Sequence, residues 1–498
     1  MNENLNAQQR KIAEEMVQMS VQGDAPIIVG LDIGTTKIAA IAGRKNAQDK
    51  LEILGFGHAP SNGVQHGQVL NIDQTMRAIN AALANCRASN PDLDINEVYV
   101  GIAGHHIKSL QTRGDIVRQN AELEIQRLEI EQLIDNQRKT FIPAGDQIID
   151  VIPQDFYVDN FQFIKDPVGY NGVKVGANFH IITGDRNAIR NINRAVERSG
   201  LKTKDLVLQP LASSSAVLCD MDMEAGVAVL DIGGGTSDLA VFYEGVLKHT
   251  AVIPFGGENI TNDIRQGLGV LKQQAEAMKK QFGSALTDEA KANAYITIPG
   301  LRGLPPREIS VKNLANIIQA RMTEILEFVT YHLKQVGLDN RKLNGGIIIT
   351  GGGAQLKHLK QLTEFVTGLN ARIGYPNEHL APNHIEQLKS PIYATCLGLI
   401  LKGYSDYENH SKAFEGTNAV HAPKPTQILV DENATQQAPQ EDEQPVGTHA
   451  ESTPQNKDVT EAKEPKAPKP PRKPIRFWEK FKDNLIDLFK EEEEQLIK

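Results

Sequence analysis

Cysteine is scarce: Cys86, Cys219 and Cys396 are the three in 498 residues, far apart and without metal-ligand spacing. That excludes a disulfide scaffold and a thiolate metal cluster, fits a reducing compartment, and leaves the ordinary role of small buried apolar side chains. Long apolar runs are missing too. No stretch approaches the about 18 residues that cross a bilayer, so any contact with a membrane is expected from the surface. The opening MNENLNAQQRKIAEEM is polar and mixed in charge and lacks the apolar centre of a secretory signal. Positive charge is not in excess either: 53 Lys and Arg stand against 62 Asp and Glu, a formal charge of −9. This argues against nucleic acid as a main partner.

Glycine, by contrast, is placed with purpose. Val227–Phe242 reads VAVLDIGGGTSDLAVF: an apolar run like that of a strand buried on both faces, then Asp231, then Gly233, Gly234 and Gly235 before Thr236, then a second β-like run. Glycines let a turn's N–H groups approach a ligand, and successive N–H groups form an anion-binding nest. An acid beside a bound polyphosphate repels it unless a cation lies between, so the pairing suggests Mg²⁺. A tight hairpin with a solvated aspartate is the alternative for one such loop. The pattern occurs twice, however. Ile27–Lys37 reads IIVGLDIGTTK, with Asp32, Gly34, Thr35 and Thr36 in matching order before another strand. Two similar halves facing one ligand are expected. A third loop, GIIITGGG at Gly346–Gly353, runs a strand into three glycines ahead of a helical stretch.

In these residues the chain resembles the actin–Hsp70–sugar kinase superfamily, whose members hold ATP between two halves. The resemblance implies a first phosphate loop of Asp32, Gly34, Thr35, Thr36 and Lys37, and a second of Asp231, Gly233, Gly234, Gly235 and Thr236. It places Gly351, Gly352 and Gly353 near the adenosine. Asp32 and Asp231 are then the acids that hold Mg²⁺, largely through water, because that ion gives up its hydration reluctantly. Gly256 and Gly257, in IPFGGENITNDI, read as a nucleotide-facing turn. Glu276 and Lys279 match a helix that contacts the nucleoside, with a solvated helical ion pair as the alternative. Many relatives carry a water-positioning acid where this chain has Gln209, which orients a water but is no base at neutral pH. ATP binding with at most slow hydrolysis is expected.

Between these motifs, Ile72–Cys86, Asp185–Gly200 and Val311–Val336 read as helices, and Glu97–Ala103 and Ala294–Ile298 as strands. Gly104 to about Thr183 lacks any glycine–acid loop, and holds a charged helical stretch (Ile125–Lys139) among short β-like runs. It reads as a small inserted α+β domain. From Tyr404 the character changes, and residues 411–470 are rich in Pro, Gln, Glu, Ala and Lys. Such a segment buries too little to fold and is expected to be a disordered linker. Apolar character returns at Ile475–Lys490, IRFWEKFKDNLIDLFK. On a helical wheel Ile475, Phe477, Trp478, Phe481, Leu485, Ile486, Leu488 and Phe489 share about half the circumference. Arg472, Lys473, Arg476, Lys480, Lys482 and Lys490 outnumber Glu479, Asp483 and Asp487. This is the form of an in-plane membrane helix; a helix docking on a protein groove is the alternative.

Taken together, VGLDIGTTKIAAIAG, VYVGIAGHHI, DPVGYNG, VLDIGGGTSDLAVF and ITGGGAQLKHL, with the tail, resemble the FtsA family of bacterial cell-division proteins. The resemblance covers roughly residues 26–403 and the terminal helix. It implies an α/β, actin-like two-half ATPase fold carrying an inserted small α+β domain, followed by a disordered linker and a C-terminal amphipathic helix. Residues 1–25 form a polar arm. Residues 26–96, with 184–218 and 386–403, form the first half, and 219–257 with 341–385 the second. Residues 97–183 are the insertion, linked with recruiting later division proteins. Residues 258–340 form an outer subdomain that takes the C-terminal peptide of FtsZ, where Arg307 and Arg321 match basic positions; ordinary surface arginines are the alternative. The linker is 404–470 and the membrane helix 471–498. The implied function is to bind ATP, polymerise with itself into actin-like filaments, and tether FtsZ to anionic lipid. The implied place is the cytoplasmic face of the inner membrane at the septum. Against a small-molecule kinase stands the lack of an identifiable catalytic acid, and against an Hsp70-type chaperone the lack of a β-rich domain after the ATPase. A pilus-assembly actin-like scaffold leaves the basic tail unexplained.

Overall fold

A computed structural model of the chain describes residues 25–418, apart from residue 292 and residues 300–304, 339–341 and 383–384, with side chains described as far as residue 408. Residues 1–24 of the expected N-terminal arm (1–25), the linker beyond residue 418 and the terminal helix lie outside the described residues.

The first half opens as a meander of β1 (Ile28–Ile33), β2 (Lys37–Lys45) and β3 (Leu51–Pro60). A short hairpin follows, β4 (Val64–Gln65) and β5 (Gln68–Val69), then helix α1 (Ile72–Ala88) and β6 (Glu97–Ile102). The insertion contributes β7 (Ile107–Val117), α2 (Arg127–Gln137), β8 (Asp146–Val158), β9 (Phe161–Ile164) and β10 (Lys174–Asp185). The chain returns through α3 (Arg186–Arg198) and β11 (Lys202–Leu208), and crosses to the second half on α4 (Gln209–Val217) and the short α5 (Asp220–Ala225). There β12 (Val227–Ile232), β13 (Ser237–Tyr243) and β14 (Val246–Ile253) form another meander. The outer subdomain is α6 (Gly257–Leu268), α7 (Lys272–Phe282), the hairpin β15 (Tyr295–Ile298) and β16 (Arg307–Ser310), and α8 (Val311–Gln335). The remainder is β17 (Gly346–Thr350), α9 (Leu359–Thr367), β18 (Ala371–Ile373) and α10 (Ala394–Asn418).

The two main sheets have one topology. The first runs β11-β6-β1-β2-β3 and the second β18-β17-β12-β13-β14. In each, the meander is antiparallel and two parallel strands are added beside its first strand. The duplicated L-D-I-G stretches end β1 and β12, each buried at all six positions, as expected of central strands covered on both faces. Helix α8 presents Leu314, Ile318, Met322, Ile325, Val329 and Leu333 to the core at helical spacing.

The halves share a base. Ala39 and Ile41 of the first sheet and Val229, Ala240 and Ile348 of the second lie in one buried cluster with Leu397 and Ile400 of α10. Helix α10 lies on α4 so closely that a Cβ at Gly398 would stand 1.7 Å from the Ala212 carbonyl oxygen. Only glycine permits that approach.

Three expectations shift. Strand β6 belongs to the first sheet, not to the insertion: it pairs in parallel with β1 and β11 and buries Val98, Val100 and Ile102. The insertion therefore begins at about Gly104, and its four strands are ordered β7-β10-β8-β9. Strand β7 was not foreseen, because IKSLQTRGDIV is polar on both faces and is held as a strand by its long pairing with β10. Finally, the folded part does not end at 403, where the linker was expected to begin. Tyr404 is buried, accepts from the Lys45 N–H at 2.9 Å and donates to the Pro26 carbonyl, and Glu408 pairs with Lys45 at 2.7 Å. The helix continues through Asn418.

Gly398→Val should lower stability by about 2–3 kcal/mol or more, since overpacking here meets backbone rather than a movable side chain. Thermal or urea unfolding checks this.

Candidate functional site

The two glycine turns close in the same way. Gly34 N–H donates to the Lys37 carbonyl at 3.0 Å, and Gly233 N–H to the Thr236 carbonyl at 2.9 Å. Asp32 and Asp231 hold the same place in their sheets: Asp32 is in register with Ala39 of β2 and Gly101 of β6, and Asp231 with Asp238 of β13 and Thr350 of β17. The hairpins approach each other across the halves. A Cβ at Gly234 would lie 2.4 Å from Thr36 Oγ1, and one at Gly235 would lie 2.6 Å from Thr35 Oγ1. The motifs read separately along the chain are thus brought to one place.

Each acid is oriented by named partners. Asp32 accepts from Lys37 Nζ at 3.3 Å and from Gln209 Nε2 at 3.0 Å. Lys37 also sits 5.0 Å from the centre of the Tyr393 ring, a cation–π contact. Glycine at 101 makes room for the Gln209 side chain, which would be 3.1 Å from any Cβ there. Asp231 is buried. It accepts from Ser213 Oγ at 2.5 Å and from Thr395 Oγ1 at 3.1 Å, hydroxyls carried by α4 and α10. Burial pushes its carboxyl above the usual range and nearby Asp32 adds to this, while the Ser213 hydrogen bond opposes it. Asp238 accepts from Thr236 Oγ1 at 3.0 Å through Oδ2, and its Oδ1 has no partner among the described residues. Burial and then Asp231 push Asp238 up to about 8.

The remaining glycines divide into two kinds. Gly351 has φ +81°, and a Cβ there would fall 2.2 Å from Asp231 Oδ1. Gly353 is pressed on Ile232, whereas Gly352 has open space beside it. Gly256 and Gly257 buttress the second hairpin from behind: Gly257 N–H donates to the Gly233 carbonyl at 2.9 Å and Glu258 N–H to Gly234 at 2.7 Å. Behind them, Lys279 Nζ donates to the Gly257 carbonyl at 2.8 Å and pairs with Glu276 at 2.7 Å, while Thr261 donates to Glu276. Burial pulls the Lys279 ammonium below its ordinary value against the pull of Glu276. The pair is therefore wired to the hairpin, not simply solvated.

The two arginines of the outer subdomain are engaged internally. Arg307 donates to the Gly269 and Leu268 carbonyls, both at 3.0 Å, at the C-terminal end of α6. Arg321 makes a bidentate pair with Asp263 at 2.6 and 3.1 Å, a second pair with Glu324, and packs over Phe255. Its side chain is 12% exposed. The basic and apolar tail residues from Arg472 to Phe489 lie outside the described residues. Sequence reading missed Ser213, Thr395 and the turn at His66–Gly67, whose contacts cross between elements distant in sequence. The run Ser213-Ser214-Ser215 was the one visible trace of the first.

What the arrangement can do follows from its donors. Glycine N–H groups of two facing turns can cradle an anion, and a buried carboxyl with a raised pKa beside an unpartnered carboxyl oxygen suits a cation. Two sheets of one topology, joined at α4 and α10 and carrying paired hairpins that face each other, define an actin-like protein. Comparison with known proteins agrees. A family model described as cell division protein FtsA matches residues 228–398, and one described as the SHS2 domain inserted in FtsA matches residues 104–183. Cell division protein FtsA of Pseudomonas aeruginosa is 36% identical over 383 residues, covering 76% of this chain and 89% of that protein. The Escherichia coli K12 protein of the same description is 34% identical over 393 residues, covering 78% and 92%. Among solved structures, a chain of the PilM–PilN type IV pilus biogenesis complex has a TM-score of 0.56 at 16% identity, covering 76% of this chain and 98% of that one; it shares the fold. The chain belongs to the FtsA family of cell-division proteins.

Asp238 gives the site a pH signature. Its carboxyl rises from an ordinary 3.8 to about 8 on folding. Between those values the unfolded chain is ionised there while the folded chain keeps its proton. Stability from this group therefore falls as pH rises through about 4 to 8. Asp238→Asn should flatten that slope relative to wild type, read by urea unfolding across the window.

Proposed function

We propose that this protein binds ATP with Mg²⁺ between its halves, polymerises as an actin-like filament, and tethers FtsZ to the cytoplasmic face of the inner membrane at the septum. The observation that carries the nucleotide reading is the meeting of two equivalent glycine hairpins, each backed by an acid at the same sheet position. Thr35, Thr36 and Lys37 on one side and Gly233–Thr236 on the other would hold the phosphates, and Gly352 leaves open space for the adenosine. Asp32 and Asp231 would hold the ion through water. Bound Mg²⁺ supplies neutralisation of phosphate charge.

The chain's own groups then set the pace. Gln209 is held at its amide nitrogen by Asp32, so its carbonyl oxygen is left to orient a water. No side chain at that position takes the water's proton at neutral pH, which favours holding ATP over rapid turnover. A ligand touching both hairpins favours the joined state of the halves by its differential contacts, and so favours the form that polymerises. Residues 475–490 supply the anchor in this reading: an aromatic and leucine face toward lipid and Arg472, Lys473, Arg476 and Lys480 toward anionic headgroups, each worth about 1 kcal/mol. Filament formation makes many weak anchors firm by avidity. The outer subdomain would take the FtsZ C-terminal peptide. Arg307 is the better placed of the two arginines, since Arg321 is largely buried in its carboxylate pairs. The insertion would receive later division proteins.

Two measurements test this. Lys37→Ala should weaken ATP binding on the order of 10- to 100-fold, the worth of one charge-assisted hydrogen bond, in a fluorescent-nucleotide titration with Mg²⁺. Wild-type affinity in the variant would remove the first hairpin from the site. Full-length protein should co-sediment with anionic liposomes while a chain ending at residue 470 stays in the supernatant. Equal binding by both would end the anchor reading and put the lipid contact within residues 1–470, and binding by neither would leave an actin-like scaffold without a membrane anchor.

A further inference from the structure

Two contacts of different chemistry hold the halves together. At the base the contact is apolar and close: Leu397 and Ile400 of α10 lie in the cluster shared by both sheets, and Gly398 lies against the Ala212 carbonyl. The other is made by the insertion, and it is largely polar. Strand β14 is the outermost strand of the second sheet, so its outer edge has no ladder partner. Side chains of the insertion take that place. Gln154 Nε2 on β8 donates to the Leu247 carbonyl at 2.6 Å and to that of Lys248 at 3.4 Å. From β7, Gln111 Nε2 donates to the Lys248 carbonyl and Ser109 Oγ to the Thr250 carbonyl, both at 3.4 Å. Lys248 Nζ pairs in return with Asp155 at 3.0 Å, and His180 Nε2 on β10 lies 2.9 Å from Thr250 Oγ1. Gln111, His180 and Ile152 are in register across β7, β10 and β8, so one face of the insertion's sheet rests on the edge of β14. The outer subdomain meets the same strand, where His249 Nε2 lies 3.3 Å from His332 Nδ1 of α8.

We infer that the insertion is a releasable clasp on the second half: its grip on β14 holds the two hairpins together over a bound nucleotide, and its detachment sets the rate at which the nucleotide leaves. The inference rests on the nucleotide reading above. The root of the insertion is fixed to the first half by apolar packing, with Ile107 and Ile149 against the cluster that holds Ile102 and Ile189. The clasped strand is tied as firmly to the second hairpin, since β14 pairs with β13 from Ser237 onward, directly after Thr236. Parting the hairpins about the base therefore shears the seam, whose two sides belong to different halves. Water can replace the seam's hydrogen bonds but not the apolar packing of the base, so the base acts as the hinge and the seam as the part that lets go. By linkage, a partner that prefers the detached insertion would speed nucleotide release, and bound nucleotide would oppose that partner.

The test uses full-length protein loaded with a fluorescent ATP analogue and Mg²⁺, chased with excess unlabelled ATP in a stopped-flow instrument. Asp155→Lys sets two ammonium groups against each other and should speed release roughly tenfold, a modest share of the cost of a like-charge contact. Adding Lys248→Asp to that variant restores an opposite-charge pair and should return the rate toward wild type. Gln154→Leu keeps the bulk and removes the amide, and should speed release roughly fivefold, the worth of one neutral hydrogen bond. Thermal midpoints separate loss of the clasp from loss of the fold, and Gln154→Leu carries the test if the lysine variant proves unstable. Hydrogen exchange at residues 246–253 should quicken in the single variants without nucleotide. Unchanged release in folded single variants, or faster release that the double variant leaves uncorrected, overturns the inference while the nucleotide reading stands. Wild type that takes up no nucleotide overturns that reading, and the inference with it.

Discussion

Everything near the cleft is arranged around one buried carboxylate. Asp231 ends the central strand of the second half, yet its hydrogen bonds come from Ser213 and Thr395, on the two helices that join the halves. Two neutral hydroxyls do not fully compensate a buried negative charge, which is why the carboxyl is driven upward and why a cation suits its surroundings. The same placement dictates what its neighbours can be. Gly351 must be glycine because its space is taken by the Asp231 oxygen, and Gly398 because α10 must lie on α4 for Thr395 to reach the acid.

The duplication explains how much of this was legible in the sequence. A central strand buried on both faces needs a continuous apolar run, and a turn closed from its third residue back to its own mouth needs glycine. Both demands are local, so the L-D-I-G pairs reported both hairpins and even their equivalent positions. Gln209 was singled out through the resemblance alone, as the residue standing where many relatives carry an acid, and it lies at the start of α4 beside Asp32. Positions fixed by distant partners were not. Strand β7 carries no period of its own and exists through β10. Tyr404 looks like the start of a polar tail until Pro26 and Lys45 are placed beside it. His66 sits in an unremarkable V-Q-H-G-Q-V, and its neighbours Thr35 and Gly235 are brought to it only by the closure of the two halves.

The insertion carries the last consequence. It enters and leaves the chain within the first half, but it also grips the edge of the second sheet. Gln154 Nε2 donates to the Leu247 carbonyl at 2.6 Å, Lys248 pairs with Asp155 at 3.0 Å, and the buried His180 meets Thr250 Oγ1 at 2.9 Å. Burial pushes His180 down to about 4 and His249, with His332 beside it, to about 3. The seam therefore stays uncharged at these histidines through neutral pH, and packs without the cost of buried cations. A movement of one half against the other cannot leave this seam as it is, because its two sides belong to different halves. The insertion is in this respect a second strap between the halves, apart from α4 and α10. A surface on its far strands is thereby mechanically continuous with β13 and the glycine turn that precedes it, since β14 is the strand on which the insertion rests and β13 pairs with β14 along its whole length. The path from that surface to the hairpin runs through two ladders of backbone hydrogen bonds and a seam that holds one ion pair, Lys248–Asp155, beside its neutral histidines.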